Sequence, residues 1–389
     1  MKINTSNILF ICSSLQPGKD GVGDYTRKLA GTLILRGLDA RIVAINDQHL
    51  EAETLQEDQC EHATIPVLRL SSRLSWKKRI EAVKKFVAGF NPANISLQFV
   101  PFGFHLKGLP FAFAGRLKQL GLKGRWHIMF HELSVNKDES LKFRLWAYLQ
   151  VQIIHSLIKQ LKPSCISTNT AIYKYRLEDM GYPTNLLPLF SNISNKTSAG
   201  NFAFDQIVPA YLSQHRQDYI IGTLFGNFDF KSWNIRSLLD KFSYGFTRKR
   251  IVVVSVGKMS SGGTYWEQLK CDYPQVLFLR LGEQDAAFIS YWLLHYADFG
   301  ILTTLPELAS KSGSFMALKE HGIPVVCKER SLLLKEYDVP LDDFLTEVHE
   351  DRSFELPQRR EPVACLDAVT AAFIGQLELP ARRALENHI

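Results

Sequence analysis

The sequence predicts an α/β protein built from two Rossmann-like domains that face each other across a cleft. Short apolar runs rich in β-branched residues alternate with amphipathic segments of helical length, which is typical of parallel sheets covered by helices. This alternation runs from Asn7 to about Leu186, gives way to a polar stretch, and restarts at Tyr219. A chain of 389 residues is too long for one ordinary core and suits two domains of normal size.

The polar stretch sets the predicted domain boundaries. We expect an N-terminal Rossmann-like domain over residues 1–195, a linker region over 196–218, and a C-terminal Rossmann-like domain over 219–365. A last helix within 366–389 is expected to cross back to the first domain. In both domains the loops at the carboxyl ends of the strands are rich in Gly and polar residues, so a ligand is expected in the cleft.

Composition narrows the range of partners. The net charge of +7 and the isoelectric point near 9.0 favour anionic partners. No apolar run approaches the roughly 18 to 20 residues that a membrane span needs, and Met1–Ser14 fits a first strand better than a signal peptide. The six cysteines are scattered without metal-ligand spacing. We therefore expect free thiols in a reducing cytoplasm and no metal site.

One basic segment bears on membrane and nucleic-acid partners. Residues 73–85 carry six Lys and Arg, interleaved with apolar residues at helical spacing. A solvated outer helix of the first domain is the favoured interpretation, and peripheral contact with an anionic membrane at its inner face is the open alternative. No basic groove interleaved with aromatic residues and no known module indicates nucleic-acid binding.

The stretch with the clearest chemistry lies in the second domain. Residues 299–304 are predicted as a buried strand and residues 315–321 as a helix, with Lys311-Ser312-Gly313-Ser314 between them. A loop of small residues that leads into a helix presents unpaired amides to an anion, and Lys311 adds a full positive charge. The alternative is that the two serines only cap the helix while Lys311 is solvated.

Other strand-end loops add candidate residues. In the second domain, Gly226, Asn227 and Lys231 follow the first strand, and Lys258 follows the next one. A glycine at the end of a strand lets a ligand approach the backbone, and the lysines suit an anionic ligand.

The first domain has a similar loop between its first strand and first helix, with Gly21, Gly23 and Asp24. The third glycine of a dinucleotide fingerprint is missing there, so NAD is not expected. His131 follows the strand at 126–130 on the same rim. It is either a satisfied polar residue at a strand end or a ligand-binding side chain.

In their order along the chain, these motifs together resemble those of retaining glycosyltransferases of the GT-B fold, especially glycosyltransferase family 4. The resemblance covers nearly the whole chain. Gly21–Thr26 looks like the family's N-terminal glycine loop, and Gly226–Lys231 sits where the family binds the diphosphate. Ala297–Asp298 and His321–Val326 look like the frame of its donor site, and His131 stands in the place of the family histidine near the transferred sugar.

The resemblance implies a nucleotide-diphosphate sugar as donor substrate, bound mainly to the second domain, with no further cofactor. Lys231 and Lys311 would stabilise the charge on the leaving diphosphate, while Asp24 and His131 would orient donor or acceptor hydroxyls. The configuration of the sugar would be retained without a protein nucleophile. A glycan, lipid-linked or other hydroxyl acceptor is implied, as in polysaccharide biosynthesis. The remaining expected donor contacts are Gly21, Gly23, Gly226, Asn227, Lys258, Glu307, Ser312, Gly313, Ser314 and Glu320.

The sequence departs from the family at two glutamates. The positions that correspond to these glutamates are Ala309 and Ala317. Glu307 and Glu320 are nearby in the sequence, but they do not align with the family glutamates. The family arginine of the diphosphate loop is also absent, with Asn227 near its place. Two alternatives therefore stay open: a nucleotide-sugar epimerase of the same fold, which needs no acceptor, and a non-catalytic subunit that supports a partner transferase.

Overall fold

The computed structural model describes residues 7–60, 62–134, 141–196, 207–226, 230, 233–243, 249–259, 262–330 and 339–378. The chain divides into two compact units, Met1–Pro188 with Leu366–Ile389, and Leu189–Cys365. Each unit holds one sheet, and nearly all strand pairs are parallel. The predicted α/β class with two Rossmann-like sheets is therefore confirmed.

The described part of the first unit contains eight strands, and its sheet is parallel except at one edge. Its strands are β1 Asn7–Cys12, β2 Asp39–Asp47, β3 Thr54–Cys60, β4 Ala63–Ser71, β5 Asn94–Phe99, β6 Arg125–Phe130, β7 Cys165–Thr168 and β8 Asn185–Leu186. The order across the sheet is β3-β4-β2-β1-β5-β6-β7-β8. Only β3 and β4 pair antiparallel.

Short helices and two long ones connect these strands. They are α1 Gly21–Leu35, α2 Trp76–Val87, α3 Pro101–Phe104, α4 Phe113–Lys118, α5 Leu141–Leu161 and α6 Ala171–Asp179. Phe104 stacks on Phe113 with a ring separation of 4.2 Å, and Phe99 of β5 stacks on Phe104 at 5.7 Å. This aromatic cluster fixes the loop after β5 against the sheet, because stacked rings bury large apolar area in a defined geometry.

In the second unit, the described residues form a six-stranded, fully parallel sheet. Its strands are β9 Tyr219–Phe225, β10 Arg250–Val256, β11 Leu277–Gly282, β12 Phe299–Leu302, β13 Val325–Lys328 and β14 Leu345–Val348, in the order β11-β10-β9-β12-β13-β14. Its helices are α7 Ala210–Gln214, α8 Arg236–Ser243, α9 Gly263–Asp272, α10 Ala286–His295 and α11 Gly313–Glu320, with 3-10 turns at Arg216–Asp218 and Pro306–Lys311. Trp233, Trp266 and Phe299 are among the buried residues of its core.

The last described helix, α12 Leu366–Glu378, belongs to the first unit. Its Phe373 is fully buried, stacks on Phe10 of β1 at 5.7 Å and meets the His127 ring edge-on at 5.4 Å. The first unit is thus assembled from two separate parts of the chain. Among the described residues, no helix has both the length and the apolar character needed to cross a membrane.

The boundary between the units lies at Pro188–Leu189, before the sequence-based boundary at 195. The segment after Leu189 belongs to the second unit because Glu320 binds it: the Glu320 carboxylate accepts a hydrogen bond from the Ser191 amide (2.6 Å), and the Glu320 carbonyl accepts one from Asn195 Nδ2 (2.8 Å). The part of the expected linker that the structure describes, residues 207–218, is largely helical.

Strand β3 was not predicted from the sequence. It alternates partly buried and exposed residues and carries Glu57, Asp58 and Gln59, which are uncommon in strands. Its antiparallel pairing with β4 supplies the hydrogen bonds that its residue types do not favour. A polar strand of this kind is typical of a sheet edge, where charged side chains discourage pairing with other chains.

Asp298 lies at the amino end of β12, opposite the carboxyl edge where the donor loops are expected. Its carboxylate accepts hydrogen bonds from the Ile221 amide (2.7 Å) and from Arg216 Nη2 (2.7 Å). Asp298 therefore links β12 to β9 and has a structural role, rather than framing the donor site as the resemblance implied.

Replacing Asp298 with Ala should lower the free energy of unfolding of the second unit by about 1 to 2 kcal/mol, because the Ile221 amide and Arg216 lose their acceptor. Thermal unfolding of the full chain measures the change as a fall in the midpoint. Asp272→Ala is the matched control: its ion pair with Arg236 has a similar length of 2.6 Å but is solvated, and it should contribute less than about 0.5 kcal/mol. Equal midpoints for the two variants would contradict this role.

Candidate functional site

The carboxyl ends of β9 and β10 meet without any side chain between them. Gly226 follows β9 with φ of +96° and Gly257 follows β10 with φ of +118°, both in the left-handed region that favours glycine. A Cβ atom on Gly257 would lie 2.3 Å from the Gly226 carbonyl oxygen, and one on Gly226 would lie 2.0 Å from Ser314 Oγ. The structure thus brings Gly226 and Ser314, both predicted donor contacts, next to each other.

Ser314 belongs to the first turn of α11, whose start is open. Ser312 caps the helix, because its Oγ accepts a hydrogen bond from the Phe315 amide (3.3 Å) and its carbonyl accepts one from the Met316 amide (3.0 Å). The amides of Gly313 and Ser314 have no acceptor within the described part of the chain. They carry the positive end of the helix dipole, which suits a phosphate group.

The 3-10 turn before α11 carries two more predicted residues. Lys311, its last residue, is partly buried beside the helix start. Glu307 is 9% exposed, and neither of its carboxylate oxygens has a hydrogen-bond partner among the described residues. A buried carboxylate without partners costs free energy unless a ligand supplies donors. Glu307 therefore has the properties of a ligand-binding side chain.

Ala309 and Ala317 are both about 1% exposed. The places of the two family glutamates are thus filled by small buried side chains. Glu307 provides a buried carboxylate in the same 3-10 turn as Ala309, two residues earlier in the chain.

Two other predicted donor contacts are bound to protein groups. The Glu320 carboxylate holds the Ser191 amide, as described above. Lys258 lies 3.4 Å from Glu283, and both side chains are more than half exposed. A donor role for Glu320 and Lys258 stays a prediction. Asn227 and Lys231 lie outside the described residues.

In the first unit, the start of α1 already holds a carboxylate. Asp20 Oδ1 accepts hydrogen bonds from the amides of Val22 (3.0 Å) and Gly23 (3.1 Å). A Cβ atom on Gly23 would lie 2.5 Å from the Ser14 carbonyl oxygen, so this glycine permits close packing of the helix start, whereas Gly21 borders open space. Asp20 could have been found from the sequence, because Asp directly before a helix is a common N-cap.

Asp24 is held by two neighbours. One carboxylate oxygen pairs with Arg27 Nη1 at 3.0 Å, and the other accepts a hydrogen bond from the Gly18 amide at 3.1 Å. Burial raises the pKa of Asp24, and these two partners oppose the rise. The arrangement fixes the carboxylate near the strand end.

His131 is buried directly after β6. Its amide donates to the Phe99 carbonyl (3.0 Å), and its Nε2 lies 2.9 Å from Gln98 Oε1. Its ring meets the edge of Tyr25 with a centroid separation of 5.2 Å. Burial, with a smaller contribution from His127, lowers the pKa of His131 to about 3. His131 is therefore neutral at physiological pH and suited to orienting a hydroxyl, not to donating a proton as an imidazolium.

Gln98 connects His131 to a chain of hydrogen bonds that involves residues of three strands and is buried except at its α12 end. Its far end lies on α12, where Gln376 Nε2 donates to the Leu186 carbonyl (3.3 Å) and Gln376 Oε1 accepts from Ser167 Oγ (2.8 Å). Ser167 donates its one hydroxyl proton to Gln376. Its Oγ therefore accepts the hydrogen bond from His127 Nε2 at 3.0 Å. His127, whose pKa burial lowers to about 3, is thus neutral and carries its proton on Nε2.

The hydrogen bonds keep the same donor-to-acceptor direction as far as His131. His127 Nδ1 accepts from the Ser96 hydroxyl at 2.8 Å, and Ser96 Oγ accepts from Gln98 Nε2 at 2.7 Å. Gln98 therefore presents its carbonyl oxygen to His131, which must carry its proton on Nε2. The chain leaves His131 Nδ1 as a hydrogen-bond acceptor.

The sequence interpretation did not identify these connecting residues. Ser96 and Gln98 interrupt the apolar run of β5, and His127 interrupts that of β6. A polar side chain inside a strand that is buried on both faces needs a hydrogen-bond partner, so these interruptions were the available signal. The identity of the partners depends on strand order, which the sequence does not contain. Among the described residues, no group of His, Cys, Asp and Glu is placed to hold a metal ion.

No model of a protein family matches the sequence, and a search of curated proteins finds no match. Solved structures do match. An α,α-trehalose-phosphate synthase (UDP-forming) from Burkholderia vietnamiensis superposes with a TM-score of 0.53 and 10% identity, covering 96% of this chain and 95% of that one. The enzyme of the same description from Burkholderia xenovorans, in complex with glucose-6-phosphate, gives 0.52 and 9%, with 97% and 94% covered.

The lipopolysaccharide outer core galactosyltransferase WaaB, in its apo form, gives a TM-score of 0.51 at 11% identity, covering 97% of this chain and 92% of that one. At such low identity the likeness demonstrates a shared fold. The fold extends over nearly the whole of each chain, and it is the GT-B fold of these glycosyltransferases, as the motifs predicted.

Proposed function

We propose that the chain is a glycosyltransferase that moves a sugar from a nucleotide-diphosphate sugar to a hydroxyl acceptor with retention of configuration. The observation that carries the proposal is the start of α11, where the Gly313 and Ser314 amides have no acceptor among the described residues and the Ser314 side chain lies against Gly226 at the end of β9. That geometry accepts a phosphate, and it occurs in a fold shared with three glycosyltransferases along nearly the whole chain.

The diphosphate of the donor binds at this helix start. Amides and the Lys311 ammonium stabilise the negative charge that grows on the leaving diphosphate, which is the largest catalytic contribution expected in such a site. Lys231, five positions after Gly226 in the sequence, is the second cation of the proposed site. The absence of side chains on Gly226 and Gly257 lets the two strand ends and Ser314 pack directly against one another beside the helix start.

Glu307 binds hydroxyl groups of the donor. Its two carboxylate oxygens accept hydrogen bonds from adjacent hydroxyls, which satisfies a buried group that has no partner among the described residues. Glu307 thereby takes over one of the two roles that the resemblance assigns to the glutamates missing at Ala309 and Ala317.

His131 and Asp24 position the reacting hydroxyls from the first unit. His131 Nδ1 accepts a hydrogen bond from a hydroxyl group, while Nε2 stays hydrogen-bonded to Gln98. The acceptor is a glycan, a lipid-linked sugar or another hydroxyl compound, and we propose that it contacts the exposed residues of the aromatic segment Phe99–His105, such as Phe102. The three glycosyltransferase structures favour transfer over epimerisation, and Glu307 and the open helix start favour a working donor site over a non-catalytic subunit.

A thermal-shift series with UDP, GDP, ADP, dTDP and CMP and their sugar conjugates tests the donor assignment. One nucleoside diphosphate should raise the unfolding midpoint, because a ligand that binds only the folded state stabilises it. Lys311→Ala should reduce the affinity roughly tenfold with little change in the ligand-free midpoint. Lys270→Ala, which removes a solvated lysine paired with Glu267, is the control and should bind normally. No shift with any nucleotide at millimolar concentration would refute the donor assignment.

Glu307→Gln should have opposite effects on stability and binding. Removing a buried, unpartnered charge should raise the ligand-free midpoint, whereas the weaker acceptor should lower donor affinity roughly tenfold. Thermal unfolding and nucleotide-sugar titration measure the two effects. Glu347→Gln is the control, because Glu347 is partnered by Arg330 at 3.0 Å and its replacement should only destabilise. A Glu307→Gln variant with a lower midpoint and unchanged affinity would indicate a structural role.

Gln98 should act as a positioning residue for His131. In Gln98→Glu, a carboxylate beside Nε2 favours the imidazolium, so the pKa of His131 should rise and Nδ1 should lose its acceptor role as the pH falls. Turnover should then fall on the acid side, at pH values where the wild type should lose none, and donor affinity should change little. Gln160→Glu, on an exposed face of α5, is the control.

Nitrogen NMR of the wild type tests the same arrangement without a substitution, since it reports which ring nitrogen carries the proton. Both His127 and His131 should be protonated on Nε2. A proton on His131 Nδ1 would overturn the assignment.

A further inference from the structure

A small pocket in the first unit lies at the edge of the sheet where β4 and β5 end. Helix α2 follows β4, and the loop 100–112, which leads into α4, follows β5. Because β4, β5 and β6 run parallel in one sheet, this is also the edge that holds His131. The residues that line the pocket are Trp76, Phe104, His105, Leu109, Pro110, Phe111, Ala112, Phe113 and Arg116.

Aromatic rings form much of the pocket. Phe104 stacks on Phe113, as described above, and Trp76 meets the Phe113 ring edge-on at a centroid separation of 5.9 Å. Phe111 lines the pocket and is 56% exposed, so its ring is accessible to a ligand.

Hydrogen bonds from α5 hold the loop that carries these residues. Trp146 Nε1 donates to the Lys107 carbonyl (2.8 Å), and Gln150 Nε2 donates to the Gly108 carbonyl (3.2 Å). A site whose loop is already fixed loses less conformational entropy when a ligand binds.

Two guanidinium groups lie against the Trp76 ring. Cζ of Arg116 is 4.6 Å from the ring centroid, and Cζ of Arg79 is 4.7 Å from it. Both groups are therefore held in place by cation–π contacts. The Arg79 guanidinium is buried and donates only to uncharged oxygens, which belong to Leu74, Ile45, Asn46 and Ser72.

The Arg116 guanidinium has neither a hydrogen bond nor an ion pair within the described part of the chain. Burial and the charge of Arg116 lower the pKa of Arg79, and burial lowers the pKa of Arg116. Like charges at this separation repel each other, and no Asp or Glu is among the described residues that line the pocket. An anion bound to Arg116 would use its donors and offset the repulsion.

His105 supplies a further donor. Its Nδ1 accepts hydrogen bonds from the amides of Lys107 (3.2 Å) and Leu109 (3.3 Å). The ring proton is therefore on Nε2, which has no acceptor among the residues that the structure describes. Accessible aromatic surface, a guanidinium and an imidazole N–H thus occur in one pocket.

The size of the pocket limits its ligand. Its cavity measures about 220 Å³, whereas pockets for drug-sized molecules measure roughly 300 to 1,000 Å³. One sugar ring is a suitable size, and the apolar C–H face of a sugar packs well on an aromatic ring. The planar guanidinium of arginine matches the geometry of a carboxylate or a phosphate.

We infer that this pocket binds a sugar ring that carries a negatively charged group, with Arg116 and His105 donating to the anion and Phe111 packing on the ring. The anion is a carboxylate, as in a uronic acid, or a phosphate. That the bound sugar belongs to the acceptor rests on the proposed transferase function, since the pocket shares a sheet edge with His131. Arg116 then determines specificity for an anionic acceptor.

Ligand-observed NMR titrations of the full-length protein test the inference with methyl glucuronide, glucose 6-phosphate, methyl glucoside and inorganic phosphate. At least one charged sugar should bind about tenfold more tightly than methyl glucoside and inorganic phosphate, because bidentate, charge-assisted hydrogen bonds are strong. The tighter of the two charged sugars identifies the anion. Equal affinities for charged and uncharged sugars would overturn the inference, and so would inorganic phosphate that binds as tightly as the charged sugars.

Substitutions locate the binding. Arg116→Gln should weaken binding of the charged sugar about tenfold and leave methyl glucoside unchanged, and its thermal midpoint should not fall, because a like charge is removed. Phe111→Ala should weaken both sugars by a similar factor. Lys118→Gln is the matched control, since it removes the same charge from an exposed position of α4 and should bind as the wild type does. Normal binding of the charged sugar by Arg116→Gln would overturn the inference.

The nucleotide thermal-shift series separates this inference from the proposed function. Nucleotide binding without binding of either charged sugar would refute the sugar pocket alone. Charged-sugar binding that Arg116→Gln weakens, together with no nucleotide shift, would refute the donor assignment and leave the sugar pocket supported.

Discussion

The candidate donor site depends on a direct contact between two backbones. Where β9 and β10 end, Gly257 approaches the Gly226 carbonyl so closely that no side chain fits, and Gly226 in turn adjoins Ser314. Parallel strands already bring their carboxyl ends to one edge of a sheet. The two glycines add the close approach, so the side chain of Ser314, in the first turn of α11, lies directly against the end of β9.

In the first unit, a chain of hydrogen bonds holds two buried histidines in one tautomer each. Burial makes both His127 and His131 neutral, and a neutral imidazole has two tautomers. Along the hydrogen bonds from Gln376 to Gln98, only one tautomer of each histidine is compatible with every partner. A side chain on α12 thus determines which nitrogen of His131 is free, through hydrogen bonds that involve residues of three strands.

The alternation of apolar strands and helices was sufficient to predict the fold class, because buried parallel strands such as β1 and β10 are continuous apolar runs. The polar edge strand β3 was missed, since its hydrogen bonds come from β4 and not from its own residue types. Among site residues, the contact of Gly226 with Ser314 agrees with their common position at strand and helix ends. The partners of Glu320 and His131 lie 129 and 33 positions away in the chain. No local pattern contains such pairs, because they arise only when the segments pack.

The return of α12 to the first unit has a consequence for synthesis of the protein. The first unit comprises Met1–Pro188 and Leu366–Ile389, with the whole second unit between them. On the ribosome, the second unit has therefore emerged before the first can receive Phe373 and Gln376. Until then, the pocket that Phe373 fills over Phe10 is open, and Ser167 lacks its acceptor. The nascent first unit must remain soluble in this incomplete state while some 180 further residues are translated.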